Sequence, residues 1–208
     1  MELVDMRVLE TRADGIRVRV PIFPPIKRKE NTMKRWVIAD LHFGHTNVIN
    51  YCNRPFADLE QMETELIKNW NNVVAKNDLV YVLGDFTLSR KLDYIASLCA
   101  RLHGQKVLVM GNHDTRKPAD YISCGFTVAT RKPMLVEPRV VLMHEPPREE
   151  DIFYGMIYIY GHVHNKHCAA DDYGNGICVS VERINYTPVN LDDIIQSVDF
   201  DLGPKIGY

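Results

Sequence analysis

Short runs of apolar residues alternate along this chain with segments whose apolar positions recur at helical spacing. Residues 35–40, 79–83 and 106–110 are near-continuous apolar runs of strand length, each followed by turn-forming residues. Between them the spacing predicts helices. One begins near Thr46. A longer one follows Asp58, where Asp58 and Gln61 have the spacing of a capping box and Leu59, Met62, Leu66, Trp70, Val73 and Val74 share a face. A third covers about 91–102, with Leu92, Ile95, Leu98 and Cys99 together. After Gly125 the pattern shortens to strands at 126–129, 134–136, 139–143, 156–160 and 177–181. A last helix covers about 191–198, with Asn190 as its N-cap. Strand–helix alternation followed by a strand-rich half predicts a layered α/β sandwich.

The first 32 residues depart from this pattern. Ile16–Val20 alternates as a half-buried strand does, and Gly15 suggests a turn before it. Pro21, Pro24 and Pro25 break regular structure, and Lys27-Arg28-Lys29-Glu30 reads as a charged linker. Residues 1–32 are therefore an N-terminal extension, either a hairpin or a flexible segment, ahead of a single domain at 33–208.

Composition narrows the functional classes. A chain of 208 residues suits one domain with a substantial core. A net charge of -2 gives no global positive field for nucleic acid or an anionic membrane, but it leaves small phosphorylated substrates open. Five cysteines without a C-x-x-C pair fit a reducing, cytoplasmic compartment. The N-terminus lacks the order of a signal peptide, and no apolar run approaches the ~20 residues that span a bilayer, so no membrane partner is expected. The pattern assigns no oligomeric state.

The candidate chemistry lies just past the strands. Asp40-Leu41-His42, Gly84-Asp85, Gly111-Asn112-His113-Asp114, His144 and Gly161-His162-Val163-His164 each follow an apolar segment. In open α/β sheets, ligands bind beyond the carboxyl ends of the strands, so these groups converge on one edge. A single such group is more often a cap or a solvated side chain; five in order are a site. The mixture of carboxylate, amide oxygen and imidazole suits borderline divalent metals such as Mn, Fe, Zn, Co or Ni, and not a closed thiolate zinc site. Seven candidate ligands exceed the needs of one four-coordinate ion and fit two ions that share a bridging carboxylate. The glycines ahead of three motifs allow close approach of backbone or substrate.

This ordered set, from about residue 35 to 198, resembles the calcineurin-like metallophosphoesterase superfamily. The stretch Ala39–Asn47 with Arg54-Pro55-Phe56 is similar to a small bacterial and phage-type branch of uncharacterised phosphoesterases. The resemblance implies a fold of two mixed β-sheets flanked by helices. It implies two divalent metal ions, manganese first among them. Asp40, His42 and His164 would hold one ion, Asn112, His144 and His162 the other, and Asp85 would bridge them. A water or hydroxide between the ions would attack phosphorus, with His113 beside the phosphoryl group as acid or charge stabiliser. Asp114 is expected to orient that imidazole. Protein phosphatases of this superfamily carry an Asp-Arg pair where this chain has Leu88 and Ser89, which argues against that role.

His45 and Asn47 follow the first motif closely and are candidate substrate groups, although Thr46 or Asn47 also suits a helix cap. Arg54 is a candidate phosphate fork. Phe153 and Tyr154 precede the His162 strand and are candidates to stack on an aromatic leaving group. The expected partner is a phosphorylated small molecule or nucleotide, with nucleic-acid ends as a further class. A short chain without a capping domain leans to a phosphodiesterase. A phosphomonoesterase on a small molecule or nucleotide is the alternative. A non-catalytic binding module on the same fold is the alternative of another class, disfavoured because the full ligand set and His113 are present.

Overall fold

The computed structural model describes residues 8–13, 16–21, 33–153, 155–172 and 176–198. The chain divides into two units, residues 1–32 and 33–208. In the first, β1 (Val8–Ala13) and β2 (Ile16–Pro21) pair antiparallel. Gly15 and the expected linker at 27–30 lie outside the described residues.

The second unit carries two mixed sheets. The first has the order β11 (Val189–Asn190), β3 (Arg35–Ile38), β4 (Leu79–Val82), β5 (Gln105–Val109) and β6 (Val128–Thr130). Its strands are parallel except β11. The second has the order β10 (Gly176–Cys178), β9 (Ile157–Tyr160), β8 (Val140–Leu142) and β7 (Met134–Glu137), with β7 antiparallel to β8 and the others parallel.

The central strands of the first sheet are apolar on both sides because both sides are covered. Ile38, Val80, Val82 and Leu108 face a core shared with α1 (Asn47–Tyr51), α2 (Leu59–Val73), α3 (Leu92–Arg101) and α4 (Pro118–Ser123). Val37, Tyr81, Val107 and Val109 face the second sheet through Val140, Leu142, Ile157 and Ile159. A smaller cluster around Tyr158, Tyr160 and Ala170 covers the outer face of the second sheet, where α5 (Ala169–Asp172) lies. α6 (Leu191–Ser197) buries Leu191 in the inter-sheet core. The layered sandwich of two mixed β-sheets flanked by helices is thus the observed fold.

Local signals explain the starts of α2 and α6. The Asp58 side chain accepts from the Gln61 N–H at 2.8 Å, while the Gln61 side chain reaches back to the Ala57 N–H, one residue before the cap itself. Asn190 accepts from the Asp192 and Asp193 N–H groups, as its position predicts. Several short elements were not expected, among them α4, α5, β11 and a 3-10 turn at Glu149–Asp151. α4 has six residues, α5 has four and β11 has two, too few for a periodicity to show. Pro118, at the first helical position of α4, is a start signal that local chemistry did offer. No helix among the described residues is long and apolar enough to cross a membrane, and all five cysteines are free.

Trp70 anchors α2. Its side chain is fully buried, and its Nε1–H donates to the His103 carbonyl at 2.9 Å. Trp70→Ala should lower the unfolding free energy by about 3–5 kcal/mol, measured by urea denaturation. A loss under about 1 kcal/mol would show that the α2 core repacks freely.

Candidate metal centre

Where β3, β4, β5, β8 and β9 end, the backbone turns sharply and turns side chains inward. Asp40 follows β3, Asp85 follows β4, Asn112 follows β5, His144 follows β8 and His162 follows β9. Asp40, His42, Asp85, His162 and His164 all have positive φ, between 51° and 70°. For residues with a Cβ this conformation costs on the order of 1 kcal/mol each, and such strain persists only where surrounding contacts over-determine it. Here the loops lock each other. The Asp40 N–H donates to the Gly84 carbonyl, the His42 N–H to the Asp85 carbonyl and the Gly161 N–H to the His144 carbonyl. The two sheets also meet at this edge, where Ala39 bridges to Ser180.

The carboxylate of Asp85 lies at the centre. Its Oδ2 is 3.5 Å from His42 Nε2, and its Oδ1 is 3.6 Å from His144 Nε2. On the His144 side, Asn112 Oδ1 lies 3.0 Å from both His144 Nε2 and His162 Nδ1, and those two nitrogens are 3.2 Å apart. On the His42 side, ligand atoms of Asp40, His42 and His164 fall within 4.8 Å of one another. The other six residues therefore gather as two groups of three on opposite oxygens of the Asp85 carboxylate.

The atoms facing these spaces are ones that a cation would satisfy. Among the described residues, Asp40 Oδ1 and His42 Nε2 are buried and lack a hydrogen-bond partner. Asp40 Oδ2 is occupied, accepting from the Ser180 hydroxyl at 2.7 Å and the His162 N–H at 2.9 Å. The His144 Nδ1–H donates to the Leu83 carbonyl at 2.9 Å, which leaves Nε2 with its lone pair. The His164 Nδ1–H donates to Glu182 at 3.0 Å, with the same effect on its Nε2. The donor set and its orientation fit two divalent cations.

Electrostatics show what such a cluster costs by itself. Burial pushes the Asp40 carboxyl up to about 6 and the His42 imidazolium down to about 2. Burial also lowers His162, with the His144 ring adding to it. Burial opposes protonation of His164 as well, but hydrogen bonds to Cys52 and Glu182 and the nearby Asp40 outweigh it and raise that group to about 10. Bound cations invert this balance, favouring the carboxylate and the neutral imidazoles together.

Glycines make the crowding possible. A Cβ on Gly111 would sit 2.2 Å from Asp85 Oδ1 and 2.8 Å from the His144 ring, and one on Gly84 would meet the His144 ring at 2.3 Å. The space left by these residues is filled by the protein's own ligands.

Four expectations about the surrounding residues meet the geometry differently. His113 stands at the rim. Its side chain is 38 % exposed and its Nε2 is 3.9 Å from Asp85 Oδ2, while its N–H donates to Asp85 Oδ1 at 2.9 Å. His45 also lies at the rim, its ring centroid 5.3 Å from that of His42 and 6.0 Å from that of His113. Asn47 opens α1 as an exposed residue. Asp114, expected to orient the His113 ring, is fully buried and accepts instead from the Phe86 N–H, the Gly111 N–H and the Tyr121 hydroxyl. It ties the loop after β4 to the loop after β5, and burial raises its carboxyl to about 6.

Arg54 requires the largest correction. It was expected at a substrate phosphate, but its guanidinium is buried. It donates to the Asp40 and Leu41 carbonyls at 2.7 and 3.0 Å and to Glu182 at 2.9 Å. Those carbonyls belong to the sharp turn after β3, so Arg54 satisfies groups that the strained loop leaves without ladder partners. Glu182, absent from the sequence reading, accepts from both Arg54 and His164. Ser180 was missed for the same reason: each stands alone in the sequence, and only folding brings it to the site.

The chain is similar to several known proteins. A family profile described as calcineurin-like phosphoesterase matches residues 33–137. An uncharacterized protein of Methanocaldococcus jannaschii is 39% identical over 171 residues, covering 80% of this chain and 92% of its own. The Gene 66 protein of Mycobacterium phage L5 is 35% identical over 85 residues, 40% of this chain and 41% of its own. The crystal structure of a protein of unknown function from Aquifex aeolicus superimposes with a TM-score of 0.66 at 27% identity, over 79% of this chain and 99% of that one.

Two substitutions test the geometry. Gly111→Ala should drive the Asp85 carboxylate out of place and lower bound divalent metal, read by elemental analysis of protein whose circular dichroism is native. Wild-type metal content would refute the cradle. Arg54→Ala should lower stability by about 3–5 kcal/mol, because it removes one of the two partners of the buried Glu182 carboxylate and the donor to the Asp40 and Leu41 carbonyls. If instead the protein unfolds as the wild type does, the turn does not depend on Arg54.

Proposed function

Given that the chain belongs to the calcineurin-like phosphoesterase family, we propose that it is a dinuclear metal-dependent phosphodiesterase acting on phosphorylated small molecules or nucleotides in the cytoplasm. The observation that carries the dinuclear reading is the two-sided carboxylate of Asp85, with His42 Nε2 3.5 Å from one oxygen and His144 Nε2 3.6 Å from the other. Asp40, His42 and His164 would hold one ion, and Asn112, His144 and His162 the other, with manganese the first choice among borderline metals. Two bound ions supply positive charge for a phosphoryl group and the acidity that makes water a nucleophile near neutral pH.

The chain's own residues provide the rest. Asp85 faces both ligand groups, and Asn112 ties His144 to His162 within the second. Hydrolysis joins the oxygen of water to phosphorus while the bond from phosphorus to the leaving oxygen breaks, and that oxygen needs a proton. His113, exposed at the rim beside Asp85, is placed to deliver it or to stabilise charge on the phosphoryl oxygens. The rim is open enough for the second substituent of a diester, since His113 and His45 are both only partly covered.

The test uses the full chain loaded with Mn, bis-p-nitrophenyl phosphate and p-nitrophenyl phosphate. Turnover of the diester is expected, with about two metal ions per chain by elemental analysis. His113→Ala should reduce kcat by about 10²–10⁴-fold while retaining metal. Turnover of the monoester alone would reverse the choice of diester. Full activity in His113→Ala would remove its catalytic role.

A further inference from the structure

Resting on the phosphoesterase reading above, we propose that the site continues into a nucleoside-binding groove, so that one substituent of the substrate phosphate is a nucleoside. Two cavities meet here. One, of about 410 Å³, has the metal-ligand candidates Asn112 and His144 in its wall. The other, of about 530 Å³, runs onto the outer face of the second sheet. Pro133, Met143 and Glu145 line both, so the two cavities adjoin, and the first has the metal centre at its wall. Each has the size of a small-molecule site.

The chemistry of the groove changes along its length in the order phosphate, hydroxylated spacer, planar ring. Arg131 stands in the wall with Asn112 and His144. Its Nη2 donates to the Asp114 and Arg116 carbonyls, both at 3.1 Å, which holds the guanidinium plane at the end where a phosphoryl group would sit. Glu145 stands at the junction. A carboxylate there opposes a second anion but accepts from hydroxyl groups, which a sugar offers. Beyond it, Met156, Tyr158 and Phe153 line a mostly apolar stretch, with Arg148 and Asp151 at its edge.

Phe153 is the telling residue. Its side chain is 67% exposed and lines the cavity wall, so its ring is accessible from the groove. It is not loose. The Tyr158 hydroxyl accepts from the Phe153 N–H at 3.0 Å and donates to the Asp151 carbonyl at 3.1 Å. Tyr158 thereby pins the segment that carries the ring to β9. An accessible aromatic face on a tethered backbone, with thioethers nearby, suits stacking with a flat base. A lipid chain would need no hydroxyl acceptor at the junction, and a phosphopeptide would need no aromatic wall.

Equilibrium binding separates this proposal from turnover. The Mn-loaded full chain is titrated by calorimetry with three phosphonates that lack the scissile ester bond. These are the phosphonate analogue of adenosine monophosphate, cyclohexylmethylphosphonate and methylphosphonate. The nucleoside compound should bind about tenfold more tightly than either of the others, as expected for one stacked base. Phe153→Ala should reduce that preference to about twofold or less. Ile122→Ala, which removes an exposed apolar side chain from α4, should preserve it. Equal affinity for all three compounds in the wild type overturns the proposal. So does a nucleoside preference that survives Phe153→Ala, or an equal gain from the cyclohexyl group. A preserved nucleoside preference without any phosphoester turnover would remove the catalytic reading and leave the groove. Turnover of simple diesters without the preference would do the opposite.

Discussion

The two oxygens of the Asp85 carboxylate must face different partners at the same time, and much of this structure serves that requirement. A carboxylate at the buried meeting point of several imidazoles is costly in an apolar interior unless positive charge comes to it. It also needs room that side chains would normally occupy. Gly84 and Gly111 provide that room, and the strained backbone at Asp40, His42, Asp85, His162 and His164 aims the surrounding ligands at it. Fold stability and site geometry are therefore coupled. The parallel strands bring the loops to one edge, and the loops accept strain so that side chains converge.

The supporting residues show how that strain is held. Arg54 and Asp114 both read from sequence as groups for substrate or catalysis, and both are buried structural ties. Arg54 closes the turn after β3 and shares Glu182 with His164. Asp114 fastens the loop after β4 to the loop after β5. Each is one contact removed from a ligand, so a change in either would reach the metal centre through the backbone. The freely presented groups are His113 and His45 on one side of the site and Arg131 and Glu145 in the groove on the other. The proposed chemistry toward substrate therefore falls to rim residues, while the buried residues support the loops.

Sequence alone made the layered sandwich, the long helices and all seven ligand candidates legible. The reason is physical. Apolar runs of strand length and a helical repeat over α2 or α3 are local patterns, and a metal ligand just past a parallel strand follows from how such sheets present their carboxyl ends. The two residues of β11 and the single turns of α5 and α4 left no such pattern, so these elements emerged only in the fold. Tertiary structure also decided which polar residues serve the site and which support it. Nothing near Glu182 or Ser180 in the chain marks them, because their partners, His164, Arg54 and Asp40, are distant in sequence. Nothing local to Arg54 revealed that its guanidinium would be buried under two backbone carbonyls. The sequence determined which chemical groups arrive at the sheet edge, since strand ends place them there. Only three-dimensional packing decided which of their atoms remain without partners, because hydrogen bonds between residues far apart in the chain settle that.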